Sequence, residues 1–280
     1  MAIFQTDRPH RSRLIITGTA GGIGTLLRGK LDHVADEIVL SDLDHVDVSG
    51  NETSHPCDIT DLDALRGLLK GGGDVLHFGG QSVEAPFVRI CEANLVGTYN
   101  LYEAARLEGI RRVLFASSNH AIGFHTRETT LDADSATRPD SLYGVSKVYG
   151  EALASLYFDK FGIESLLLRI GSCFEKPADR RQLATWMSPG DMVRLIERMV
   201  SAPRLACTVV YGVSDNEETW WDNSKAAFLG WHPQDTSEPW REELEASTPV
   251  PTPHDPAVIY QGGAFVPAPH PGTKMKREGS

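Results

Sequence analysis

No stretch of this 280-residue sequence approaches the roughly 18 consecutive apolar residues that a membrane-crossing helix requires, so a helical membrane protein is excluded. Basic charge is in short supply: 27 Lys and Arg stand against 38 Asp and Glu, a net charge of −11. A nucleic-acid binder needs a basic footprint on the phosphate backbone, and that class is excluded too. Cysteine is scarce and scattered. Cys57, Cys91, Cys173 and Cys207 form no C-x-x-C pair, and His120 and His125 lack a zinc-type arrangement, so neither a disulfide framework nor a metal is expected. Reduced thiols fit a cytoplasmic protein. Residues 1–12 carry Arg8 and Arg11 but no apolar segment, and read as a flexible leader rather than a secretory signal. No internal repeat is visible.

What is present is a soluble globular composition, 41% apolar and 23% charged, in which strands and helices alternate from residue 13 onward. Short apolar runs at 14–16, 37–41, 74–78, 112–116 and 165–170 predict strands. Helical patterns cover about 22–31, 61–70, 86–107 and 142–161, with Asp61 as an N-cap and Gly71-Gly72-Gly73 as a stop. This is the rhythm of an α/β, Rossmann-type doubly wound parallel sheet. Beyond Gly171 the rhythm changes; a helix at about 190–200 and a strand at 208–211 predict a small C-terminal substrate-binding lobe over 171–267, after a nucleotide-binding domain over 13–170. Proline crowds the last thirty residues, and 268–280 are expected to be a disordered tail.

Thr17-Gly18-Thr19-Ala20-Gly21-Gly22-Ile23-Gly24 sets glycines at 18, 21 and 24 between a strand and a helix. Glycine permits the tight turn and lets the backbone approach a pyrophosphate, while the helix N-terminus supplies N–H donors. Asp42 ends the second strand, where a carboxylate can accept both ribose hydroxyls of adenosine. Residues 43–50 offer Asp44 and Asp47 but no cation to neutralise a 2′-phosphate, so the expected cofactor is NAD rather than NADP. Asp58 and Ile59 are expected near the adenine, and Gly79 and Gly80 near the adenosine side of the pyrophosphate.

Tyr143 and Lys147 stand four apart on one predicted helix, one above the other on the same face. A nearby ammonium stabilises phenolate, so such a tyrosine can take a hydroxyl proton. Ser118 closes a strand, where its hydroxyl can hold the substrate oxygen. Ser118, Tyr143 and Lys147 are the candidate catalytic residues.

Together these motifs resemble the extended short-chain dehydrogenase/reductases over roughly residues 13–265. The resemblance implies that Lys147 also holds the nicotinamide ribose and that Asn94, grouped with the cofactor residues, supports the sheet and the proton path. Within that family, Gly79-Gly80-Gln81-Ser82-Val83-Glu84, Ser118-Asn119-His120-Ala121-Ile122-Gly123, Arg169-Ile170-Gly171-Ser172-Cys173, Thr219-Trp220-Trp221-Asp222-Asn223-Ser224 and Tyr260-Gln261-Gly262-Gly263-Ala264-Phe265 resemble the uronate dehydrogenase branch. That branch implies NAD-dependent oxidation of a hexuronic acid at C1 to the aldarolactone, in an enzyme expected to be a homo-oligomer. A uronate needs an anion site, and a guanidinium fork can grip a carboxylate bidentately; the resemblance points to Arg181 rather than Arg180 as the candidate. Ser82, Asn119, His120 and Ser172 would bond ring hydroxyls or the carboxylate, and Phe265 would close the sugar pocket.

Plainer roles exist for several of these. Asn119 and His120 could stabilise the loop after the strand, Ser172 could cap a turn, Phe265 could anchor the chain end, and Trp220, Trp221 and His77 read as core. Two rival functions share the fold: a nucleotide-sugar epimerase or dehydratase, which usually needs a larger C-terminal domain, and a non-catalytic NAD(H) sensor, which often loses the tyrosine or lysine.

Overall fold

The structure, a computed structural model, describes residues 11–250 and 252–271; the expected leader up to residue 10 and the tail from 272 lie outside them. The strands are β1 (Arg11–Thr17), β2 (Ala35–Ser41), β3 (Glu52–Ser54), β4 (Asp74–His77), β5 (Arg112–Ser118), β6 (Glu164–Ile170), the short pair β7 (Ser172–Cys173) and β8 (Trp186–Met187), and β9 (Cys207–Gly212). Seven of them form one all-parallel sheet in the order β3-β2-β1-β4-β5-β6-β9. The order reverses between β1 and β4, and such a switch point opens a crevice at the carboxyl ends of the strands.

Because both sheet faces are covered, alternate residues of one strand feed two cores. Leu14 and Ile16 of β1 join a cluster on one side, with Leu27 of α1 (Gly22–Leu27). Ile15 faces the opposite cluster, with Leu65 of α2 (Leu62–Leu69). That second face continues from α3 (Phe87–Ile90) through a π-helical turn, Cys91–Val96, into α4 (Gly97–Leu107), and then to α5 (Leu142–Phe161). Asp61 caps α2, accepting from the Asp63 and Ala64 amides. His77 is buried and bonded through Nδ1 to Thr17 Oγ1 at 2.8 Å, and Trp221 is buried in the core. No helix among the described residues is long and apolar enough to cross a membrane.

Three expectations need correction. The first helix ends at Leu27, four residues early, because the chain turns through Gly29 at φ +69°. β1 already begins at Arg11, two residues inside the stretch expected to be a leader. The boundary at 170/171 is not a break in the sheet. After α6 (Gln182–Thr185), helix α7 (Pro189–Ser201) sends Met192, Leu195, Ile196 and Met199 into the same core as Leu14, and β9 pairs with β6 as the seventh strand. The chain from 213 onward first adds Ala226, Leu229 and Trp231 to that same core; its last part, with α8 (Arg241–Ser247) and α9 (Pro256–Ile259), returns to pair with the 123–127 loop beyond β5.

One buried ion pair ties α5 to this sheet. Glu151 accepts from Arg169 Nε and Nη2 at 2.9 and 2.8 Å and from Ser117 Oγ at 2.6 Å, while Arg169 Nη1 donates to Tyr211 Oη at 3.0 Å. The two charged side chains are only 9% and 4% exposed. Removing one partner leaves the other charge buried and uncompensated. Arg169→Met should therefore lower unfolding stability by about 3–5 kcal/mol, measured from the urea midpoint at unchanged m-value. A loss below about 1 kcal/mol, the scale of an exposed pair, would contradict that reading.

Candidate active site

A cleft of about 1150 Å³ follows the crevice above β1 and β4 and runs on beneath the returning C-terminal segment. At one end the glycine turn passes from β1 into α1. Gly18 has φ +78°, and a β-carbon there would lie 2.5 Å from the Phe78 carbonyl carbon; on Gly24 it would lie 2.3 Å from the Gly18 carbonyl oxygen. The turn is thus packed backbone against backbone, and side chains at these two points would push it open. Asp42 is braced by the Ala20 amide on Oδ2 and the Leu43 amide on Oδ1, both at 2.8 Å. Gly21, Gly22, Ile23, Asp58, Ile59, Gly79 and Gly80 line the same half.

Asn94 does not line the cleft. The π-helical turn carries it inward, where Oδ1 accepts from the Gln81 amide at 2.7 Å and Nδ2 donates to Ser146 Oγ at 2.8 Å. It joins the 79–81 loop to the helix. Its side chain is committed to Gln81 and Ser146.

At the middle of the cleft, β5 ends in Ser118 and Tyr143 lies in the first turn of α5. Glu84 receives the Leu142 and Tyr143 amides, at 3.2 and 2.8 Å, and Ser141 Oγ receives the Gly144 amide, so the helix start is held by two side chains. One turn along, Lys147 Nζ donates to the Ala116 carbonyl at 2.7 Å and lies 5.4 Å from the Tyr143 ring centre. Burial pulls the Lys147 ammonium down to about 8. Burial likewise pushes the Tyr143 hydroxyl up to about 12; the Ser118 hydroxyl acts in the opposite sense, and Asp140 adds to the rise.

At the far end, Arg181 is brought to the cleft wall, whereas Arg180 turns away to the Glu245 and Thr248 carbonyls near the end of α8. Arg181 Nε and Nη2 donate to the Gln261 carbonyl at 3.2 and 2.7 Å. With its amide oriented to satisfy both ends, Asn119 donates to the Ile170 carbonyl at 3.1 Å and accepts from Arg181 Nη2 at 2.7 Å. Burial and the nearby Arg127 lower Arg181 to about 10. Among the described residues no carboxylate pairs with it. The side-on Nε/Nη2 edge is already committed to the backbone, so the anticipated two-point grip is not available there, and Nη1 is the donor left for an anion. Ser82, Ser118, His120, Ser172 and Phe265 complete this half; Ser172 Oγ meets Thr185 Oγ1 at 3.1 Å, and Phe265 stacks on His120 at 3.7 Å between ring centres.

Sequence reasoning missed Glu84, Asp140 and Gln261. Glu84 stood within a quoted motif but gave no sign that its carboxylate caps a helix 58 residues away. Gln261 acts through its carbonyl, which no side-chain pattern encodes.

The sequence matches the NAD dependent epimerase/dehydratase family over residues 14–189. A uronate dehydrogenase of Pseudomonas syringae pv. tomato is 48% identical over 268 residues, covering 95% of this chain and 97% of that protein. The crystal structure of a glucuronic acid dehydrogenase from Chromohalobacter salexigens superimposes with a TM-score of 0.91 at 54% identity, covering 93% and 98% of the two chains. A mutant uronate dehydrogenase from Agrobacterium tumefaciens, complexed with NAD, gives 0.89 at 47% identity, covering 92% and 98%.

The braced Asp42 generates a prediction about cofactor choice. Asp42→Ser should raise the ratio of NADP to NAD affinity by at least about tenfold, read by calorimetric titration of each dinucleotide. An unchanged ratio would mean that this carboxylate does not exclude the 2′-phosphate.

Proposed function

The chain belongs to the NAD-dependent epimerase/dehydratase family, and from that premise we propose that it oxidises hexuronic acids, D-galacturonate and D-glucuronate, at C1 to the aldarolactone. The cofactor is NAD, which when bound supplies the hydride acceptor. The observation that carries the substrate class is Arg181: a desolvated guanidinium without an acidic partner among the described residues, in the same cleft as Tyr143 and Lys147. A partly buried cation with no carboxylate in contact gains from an anionic ligand, and a uronate carries its carboxylate on the carbon farthest along the chain from C1.

The reaction assigns a task to each group. Tyr143, as phenolate, accepts the C1 hydroxyl proton while the C1 hydrogen leaves as hydride, and the C1–O single bond becomes the lactone carbonyl. Ser118 orients the C1 oxygen. Lys147 favours the phenolate through its charge. Arg181 Nη1 and the Asn119–Ser172 region hold the far end of the sugar, and Phe265 excludes water above it.

Burial alone makes Tyr143 a poor base, so the reaction is sensitive to pH. Since the active form is the deprotonated one, kcat/KM should rise with pH up to the apparent pKa of the tyrosine in the assembled site. Lys147→Met should displace that limb to higher pH, because it removes the cation that favours phenolate. A rate independent of pH between about 6 and 9 would argue against Tyr143 as the titrating base.

The test of function is NADH formation with galacturonate, glucuronate, galactose, glucose and UDP-sugars. Turnover confined to the two uronates supports the proposal; turnover of UDP-sugars instead would replace it. Tyr143→Phe should abolish NADH formation while NAD still binds. Arg181→Lys should raise KM for uronates by about 10- to 100-fold, the worth of a charge-assisted bond, and change neutral hexoses far less. Equal losses on both would remove Arg181 from the carboxylate site.

A further inference from the structure

His120 is held from three sides. Its Nδ1 meets Asp140 Oδ2 at 2.8 Å, Phe265 stacks on its face at 3.7 Å between centres, and Tyr143 stands against it edge-on at 5.7 Å. Asp140 is wholly buried, its side chain 0% exposed, against 13% for His120. The carboxylate sits in a slot between two glycines: a β-carbon on Gly123 or on Gly262 would come within 1.8 Å of Asp140 Oδ2. The Gly262 amide donates to the Gly123 carbonyl at 2.9 Å and closes the slot. The far oxygen is also occupied, since Ser141 Oγ donates to Asp140 Oδ1 at 2.8 Å. Both carboxylate oxygens therefore act as acceptors.

An acceptor at Nδ1 decides the tautomer of an imidazole. A neutral ring facing that acceptor carries its proton on Nδ1, and its other nitrogen keeps a lone pair. His120 lines the cleft, and among the described residues Nε2 has no hydrogen-bond partner. A neutral imidazole held this way accepts a hydrogen bond and cannot donate one. It selects a hydroxyl of the sugar and discriminates against a carboxylate oxygen, which would face its lone pair.

We propose that Asp140 is a positioning residue that, from its two-glycine slot, locks His120 as the Nδ1–H tautomer so that Nε2 reads a substrate hydroxyl. The division of labour follows: Arg181 takes the carboxylate, His120 a ring hydroxyl. The Gly262–Phe265 segment serves both ends of this device, since it forms one wall of the Asp140 slot and stacks an aromatic on the imidazole. The substrate part of the proposal rests on the uronate reading; the tautomer part does not.

Long-range proton–nitrogen NMR on the full chain, labelled with 15N-histidine, reads the tautomer directly, the His120 signals being those lost in His120→Ala. The wild type should show His120 protonated at Nδ1; protonation at Nε2 would overturn the proposal whatever any variant does. Asp140→Ala should shift His120 toward the Nε2–H form and raise KM for galacturonate and glucuronate at least about tenfold, with NAD affinity unchanged. Asp140→Asn, whose amide oxygen can still accept, should lie closer to the wild type. Combining Asp140→Ala with His120→Ala should be no worse than His120→Ala alone, because the effect passes through the ring. Additive losses, or an unmoved tautomer in Asp140→Ala, would show Asp140 to be structural only. Should the protein oxidise no uronate, the NMR result still decides the tautomer and the kinetic failure belongs to the substrate reading.

Discussion

The buried contact between Glu151 and Arg169 sets the geometry on which the cleft depends. Tyr143, Lys147 and Glu151 recur every four residues along α5 and so share one face of the helix. Fixing Glu151 to Arg169 of β6 and Ser117 of β5 fixes the rotation and depth of the helix at its third turn. The other two residues are then presented where β5 ends. Ser117, which touches the ion pair, directly precedes Ser118, which faces the cleft, so neighbouring side chains carry the anchor and the site on opposite sides of one strand. At the helix start, Glu84 and Ser141 hold the other end. A helix pinned at both places has little freedom to carry Tyr143 away from Ser118.

The charges that serve the cleft are kept unneutralised by a common device. Lys147 donates to a backbone carbonyl, that of Ala116, and Arg181 to that of Gln261. A carbonyl orients a cation through its dipole but does not cancel its charge, as a carboxylate would. Arg169, Arg194 and Arg241, by contrast, meet carboxylates, although Arg127 and Arg180 away from the catalytic residues also rest on carbonyls. The net charge of −11 is therefore compatible with a site for anions, because a diffuse surface field is screened over about a Debye length while a cation on the cleft wall acts at short range.

Much of the architecture was legible because parallel strands buried on both faces leave short apolar runs, and because glycine turns punctuate them. The reading of 14–16, 37–41, 74–78, 112–116 and 165–170 found the strands from hydrophobicity alone. β3 is three polar residues, Glu52, Thr53 and Ser54, and carries no such signal. β9 was visible as a strand but not as a neighbour of β6, since parallel pairing joins residues that local pattern cannot connect. Among candidate site residues, those proposed to act by side-chain chemistry on a regular element, Tyr143 and Lys147 above all, stand together in the cleft as their spacing implies. Those acting through a carbonyl, a helix cap or a relay, Gln261, Glu84 and Asp140, depend on chain segments brought together only by folding. Asn94 falls between the two: its type was informative, its direction was set by a π-helical turn that no periodicity reveals.

The sheet order also bears on how the molecule assembles as it is synthesised. The dinucleotide half, from the glycine turn to the end of β5, is built from residues 11–118 and closes on itself through neighbouring strand pairs. The far end of the cleft waits for distant pieces: β9 must reach β6, and Gln261 and Phe265 must cross back over strands made more than a hundred residues earlier. Contacts of such long sequence separation form late and slowly. A nascent chain would in this way possess a nucleotide crevice well before it possessed a sugar pocket, and the last segment to arrive would be the one that covers both.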